Sequence, residues 1–138
     1  MRLSICCWVI FIFSVCSVRA QCDASKLIND YVSKLTDYNV LKSYKFIDPK
    51  PVTNEFSYVF TKGTSYKISL CLDDRKKSNV EMMIYDRSRN LVASNISNKG
   101  KKKYVLQFTC TTSGIYYMQY NFKDETNFCG ASVLAFKR

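Results

Sequence analysis

The sequence contains no histidine. Ser-His-Asp and Cys-His nucleophile systems need an imidazole to carry the proton, so both are excluded. Every histidine-ligated metal site goes with them. No Gly-rich loop of the P-loop or dinucleotide-binding type occurs. No Cys-x-x-Cys spacing occurs either, which leaves no zinc signature. An acid/base pair of carboxylates is the catalytic arrangement that remains. The eight aspartates and three glutamates fall in turns, in a helical segment or near strand ends, except Glu81. Glu81 alternates with an apolar set and is expected to face outward. The expectation is a non-catalytic chain with no cofactor and no metal.

Long hydrophobic runs are absent beyond the N-terminus, where Ile5 to Val15 is almost wholly apolar. With Arg2 before it and Val18-Arg19-Ala20 after it, this stretch has the build of a secretory signal peptide. Arg19 interrupts it short of the ~20 apolar residues a membrane span requires. Cleavage is expected after Ala20, so residues 1–20 form the leader and the mature chain does not span a membrane. The seven cysteines divide at the same point: Cys6, Cys7 and Cys16 lie before it, and Cys22, Cys71, Cys110 and Cys129 after it. An even number beyond an export signal implies disulfides and a secreted, periplasmic or cell-surface location. The mature chain has 118 residues, the size of one domain, with 19 basic against 11 acidic side chains. That balance favours acidic partners such as polyanionic glycans or an anionic surface; specific nucleic-acid binding is not expected.

From Ser25 to Leu41 the apolar residues Leu27, Ile28, Tyr31, Leu35 and Tyr38 recur at three- and four-residue spacing, which predicts a helix. Asp23 or Ser25 can cap its start, and Lys42 and Lys45 suit its C-terminal end. Pro49 and Pro51 then mark a linker, so residues 21–55 read as helix and linker. After that the period becomes two. Alternation predicts strands at Phe56–Phe60, Tyr66–Leu72, Val80–Ile84, Leu91–Ser94, Tyr104–Phe108, Ile115–Phe122 and Ala131–Phe136. Each such sheet must bury one face against another. The fold expected is therefore mainly β: an antiparallel seven-stranded β-sandwich, jelly-roll-like, over residues 56–138, preceded by one N-terminal α-helix packed into the same domain.

Three segments carry a family resemblance: Gly63-Thr64-Ser65-Tyr66-Lys67-Ile68, Val80-Glu81-Met82-Met83-Ile84-Tyr85-Asp86 and Ser113-Gly114-Ile115-Tyr116-Tyr117. Together they resemble the jelly-roll-like sandwiches of the bacterial pre-peptidase C-terminal domain and the Golgi-dynamics (GOLD) domain. The resemblance covers Phe56 to Phe136 and implies an accessory role in binding or interaction.

If successive strands run antiparallel, the connections Asp73–Ser78, Ile96–Lys102 and Lys123–Gly130 lie at one end. Arg75, Lys76 and Lys77 then join Lys99, Lys101, Lys102 and Lys103 in a candidate polyanion-binding surface, against the alternative that these lysines only keep loops soluble. Asp73, Asp74, Asp124 and Glu125 share that end and offer oxygen ligands for calcium, without the spacing of a known calcium loop. The same parity favours the disulfides Cys71–Cys129 and Cys22–Cys110 among three possible pairings. In the strand Ile115–Phe122, Tyr116, Met118, Tyr120 and Phe122 take one face and Ile115, Tyr117 and Gln119 the other. Exposed tyrosines on the second face can stack on sugar rings or anchor a protein partner, or else pack beneath the helix. The alternative to polyanion binding is an assembly protein using this aromatic face or an edge strand. Asn95-Ile96-Ser97 is a glycosylation sequon if the chain passes a eukaryotic secretory pathway.

Overall fold

The computed structural model describes residues 22–47, 53–73, 79–123 and 128–137. The leader, Pro49 and Pro51, and the segment with Arg75, Lys76 and Lys77 lie outside these. The elements are α1 (Ala24–Val32), β1 (Asn39–Ile47), β2 (Thr53–Phe60), β3 (Ser65–Leu72), β4 (Val80–Tyr85), β5 (Leu91–Ser94), β6 (Val105–Thr109), β7 (Gly114–Phe122) and β8 (Cys129–Lys137). Two four-stranded antiparallel sheets, ordered β1-β8-β3-β6 and β2-β7-β4-β5, pack face to face. There are thus eight strands among the described residues, one more than the sequence suggested.

The expected helix is cut short, and the additional strand, β1, begins at Asn39 within its last three residues. Asp23 caps α1 by accepting the Lys26 N–H at 3.0 Å, but the helix ends at Val32. Leu27, Ile28, Tyr31, Val32 and Leu35 still share a side and pack on Cys71, Ala131 and Val133. β1 carries a register shift between Val40 and Lys42, so Leu41 and Tyr44 both turn to the core. Lys42 and Lys45 accordingly sit on a strand and not at a helix end.

Aromatic and aliphatic side chains fill the space between the sheets. Phe46, Phe60, Tyr66, Ile68, Leu70, Met82, Ile84, Tyr116, Met118, Tyr120, Phe122 and Leu134 are all buried there. In β7 the alternation holds as expected, with Tyr116, Met118, Tyr120 and Phe122 inward. β3 and β8 are buried on both faces over most of their length, because α1 covers the outer side of their sheet. Their serines are matched accordingly: Ser132 shares a 2.8 Å hydrogen bond with Tyr120 in the core, and Ser69 bonds the Tyr31 hydroxyl beneath the helix. Burial raises the Tyr120 phenol well above its ordinary pKa. Gly130 lies where a Cβ would come within 2.9 Å of Leu72 and of the Phe128 ring.

The disulfide joins Cys22 to Cys129. Both expected pairings, Cys71–Cys129 and Cys22–Cys110, are therefore corrected. The cause is β1. With a strand between helix and β2, the chain runs down α1 and back up β1, so Cys22 starts at the end occupied by Cys129. Cys71 is a buried thiol in the cluster beneath the helix, and Cys110 a buried thiol at the far end, its Sγ 3.1 Å from the Thr112 carbonyl.

Candidate binding surfaces

The strand register brings Asp73, Asn79, Lys123 and Cys129 to one end of the sandwich. Leu72 pairs with Gly130 and Val80 with Phe122, so β3, β4, β7 and β8 meet at one end. Cross-loop bonds tie the connections themselves: Asp73 N–H to the Cys129 carbonyl at 3.4 Å, and Lys123 N–H to the Asn79 carbonyl at 3.1 Å. The β5–β6 connection arrives there too, where the Lys103 N–H donates to the Asn95 carbonyl at 2.9 Å. Its tip is a tight turn. Ser97 and Lys101 exchange hydrogen bonds, and Gly100 adopts φ +72°, a left-handed conformation that glycine takes without a Cβ penalty.

The lysines of this turn divide into two kinds. Lys99, Lys101 and Lys103 are exposed. Lys102 is half-buried, with Nζ 3.3 Å from Glu81 Oε1 and hydrogen-bonded to Asn79 Oδ1. Lys123 Nζ lies 2.8 Å from the same Glu81 oxygen. Glu81 does point away from the core, as its parity requires, but two lysines cover it. Its carboxyl is held below the ordinary range by the Lys123 hydrogen bond, against an opposing burial effect, with Lys102 adding to the depression. Of the expected surface, Arg75, Lys76 and Lys77 lie outside the described residues, as do Asp74, Asp124 and Glu125. No cluster of three metal-ligating side chains occurs among the described residues.

Asn95 anchors this end. It is 2 % exposed, and its side chain accepts the Met82 N–H at 2.8 Å while donating to the carbonyls of Val80 at 3.1 Å and Lys103 at 3.0 Å. The sequon asparagine is thus a structural clamp between β4 and the basic turn. Nothing in the sequence distinguishes a clamp from an acceptor; only its neighbours do.

The outer face of the β2-β7-β4-β5 sheet is not covered by the helix. Tyr117 sits there as predicted, but its ring is occupied: the Arg89 guanidinium stacks 3.8 Å from the ring centroid. The same guanidinium makes two hydrogen bonds to Glu55, at 2.6 and 3.1 Å. Arg89 has φ 66°, a conformation disfavoured for a side chain with a Cβ. Asp86 holds the turn by accepting the backbone and side-chain N–H groups of Asn90 at 2.8 and 2.9 Å, which also lowers its carboxyl below the usual range. Sequence reasoning missed Arg89, because nothing in a polar turn marks one residue as left-handed.

No family model matches this sequence, and no curated protein matches it. Among solved structures, the fold is similar to a pre-peptidase C-terminal domain of collagenase from Bacillus anthracis. Identity is 16 %, with a TM-score of 0.47 over 70 % of this chain and 88 % of that one. It is also similar to PliG of Aeromonas hydrophila, a periplasmic lysozyme inhibitor of g-type lysozyme, at 12 % identity and a TM-score of 0.46 over 73 % and 87 %. The first matches the resemblance carried by the sequence segments above. Both likenesses concern the fold alone.

Proposed function

We propose that this chain is an exported, non-catalytic binding module whose basic end engages an acidic polymer. The observation that carries the reading is the division of labour among the lysines. Lys102 and Lys123 are committed to Glu81, whereas Lys99, Lys101 and Lys103 project from one glycine turn at the end where the connections converge. Charges held together on a firm turn attract a polyanion more than the same charges spread along a mobile tail. The Cys22–Cys129 disulfide supports an oxidising, extracellular or periplasmic setting. No described helix is long and apolar enough to cross a membrane. The non-catalytic reading draws support from the carboxylates: Glu55, Glu81 and Asp86 are each engaged in a structural contact.

The test is elution of the mature chain from a heparin column across a salt series, beside Lys99→Gln/Lys101→Gln/Lys103→Gln. Retention should fall steeply with salt and vanish in the triple variant, since at ~0.5 M salt the screening length is only a few ångströms. Retention that survives high salt rejects an electrostatic site, and retention that survives the triple variant rejects the glycine turn as its centre. The second reading, an assembly protein, has two versions. The Arg89 stack over Tyr117 disfavours the aromatic face and leaves the edge strand.

A further inference from the structure

Among the described residues four strands end the two sheets: β1 and β6 in one, β2 and β5 in the other. An edge strand presents a row of backbone donors and acceptors, and folds blunt such edges with short strands, bulges or inward-pointing charges. β5 has four residues and a register shift, and β6 has five residues. β1 has its own register shift, and Lys42 takes the same parity as the core-facing Tyr44 and Phe46. β2 has none of these devices. Its eight residues pair one for one with β7, without a shift and without a Lys, Arg, Pro or Gly.

The side of the sandwich where β2 lies is also incompletely satisfied. Tyr44 of β1 stacks on Phe56 of β2 with centroids 4.1 Å apart, so the two edge strands flank one seam. Tyr44 is 7 % exposed, and its buried hydroxyl has no hydrogen-bond partner among the described residues. Lys42 Nζ lies 5.7 Å from the Tyr44 ring centroid. A hollow of about 370 Å³ opens between the same strands, bounded by Leu41 of β1 and by Tyr58 and Val59 of β2.

We propose that β2 receives an extended segment of a partner protein by strand addition, with an acidic side chain of that segment set against Lys42. A strand added beside β2 continues its sheet, and every second side chain then points across the seam toward β1. Lys42 is exposed on β1 beside that seam and gives such a carboxylate a positive neighbour. A second copy of this chain fits worse. The seam-facing residues of β2 are Asn54, Phe56, Tyr58 and Phe60, none acidic, and two mature chains, each with 19 basic against 11 acidic side chains, repel. This surface is separate from the basic end, so the two readings stand or fall apart.

The test uses synthetic ten-residue peptides of alternating valine and threonine, with glutamate at three positions of one parity or glutamine at the same positions. They are titrated against the Lys99→Gln/Lys101→Gln/Lys103→Gln variant of the mature chain, so that the basic turn does not compete. Hydrogen exchange reads the location and fluorescence the affinity. The glutamate peptide should slow exchange at β2 amides and bind at least about fivefold tighter than the glutamine peptide. Lys42→Gln should bring that ratio toward one, with a melting temperature no lower than the parent's. Exchange at β2 unchanged by either peptide overturns the proposal, and so does equal affinity for the two. Self-association that protects β2 without peptide overturns it in favour of a second copy.

Discussion

Replacing Asn95 by alanine tests whether a single buried amide holds the basic end together. The substitution removes three hydrogen bonds, to the Met82 N–H and to the carbonyls of Val80 and Lys103. Lys103 is exposed, so water can take over its carbonyl. Met82 and Val80 are 2 % and 3 % exposed, and their backbone groups are left unmatched. An unsatisfied buried backbone group costs about 1–3 kcal/mol, so two of them set the loss at about 3 kcal/mol. That is a large share of the roughly 5–15 kcal/mol typical of a domain, and it lowers the melting temperature by on the order of 10 °C. Urea unfolding of the two proteins, with equal slopes, measures the difference. Asn95→Asp should be at least as damaging near neutral pH, because it sets a carboxylate against two carbonyl oxygens, and should recover in part on acidification. The same burial predicts that a eukaryotic secretory host delivers the folded protein without a glycan at Asn95, which intact-mass measurement decides. A loss below about 1 kcal/mol, or a glycan on a stable native chain, refutes the clamp.

Four further outcomes follow from particular contacts. Gly130→Ala should cost about 1–3 kcal/mol in chemical denaturation, because the new methyl meets Leu72 and Phe128 at 2.9 Å. Tyr44→Phe should leave stability equal or raise it by about 1 kcal/mol in the same assay, since it deletes a buried hydroxyl with no described partner. Arg89→Ala should lose more stability than Arg89→Gly, although both delete the same contacts, because glycine alone relaxes the positive φ; the reverse order removes backbone strain from the account. The depressed Glu81 carboxyl contributes stability that is present above the ordinary carboxylate pKa and lost as pH falls through its lower folded value. Glu81→Gln should therefore flatten the acid limb of a pH–stability profile below about pH 4.5.

Where one face of a strand is buried and the other wet, the sequence carries its own record of orientation, and β4 and β7 were legible for that reason. Glu81 and Tyr117 fell on the faces their parity assigned them. β1 was not legible, because Leu35 and Tyr38 continue the three- and four-residue spacing of Leu27, Ile28 and Tyr31 beyond the true helix end at Val32 and up to the strand's start. Arg89 and Asn95 were invisible for a different reason. Their roles depend on partners 34 and 13 residues away, Glu55 and Met82, which no local pattern reports. The antiparallel alternation from β3 onward was legible without β1, because each of those pairings shows in its own period-two pattern.

The disulfide, by contrast, depended on β1, and it gives the missed strand a functional consequence. A cross-link between Cys22 and Cys129 pins the start of α1 to the start of β8, where Ile47 ends its pairing. The helix is thereby held over β8 and β3. The opposite outer face carries the Arg89 stack on Tyr117. In the chain-entropy account, a loop of about 100 residues closed by a disulfide is worth about 4–5 kcal/mol, and the Cys22–Cys129 separation is 107. Cys22→Ser/Cys129→Ser should lose most of that in urea unfolding. It should also expose the buried thiol of Cys71 to labelling faster than that of Cys110, because only Cys71 lies beneath the helix that the bond secures. Equal labelling of the two thiols would mean that α1 stays docked without the cross-link, and that the Leu27, Ile28 and Tyr31 contacts suffice to hold it over Cys71.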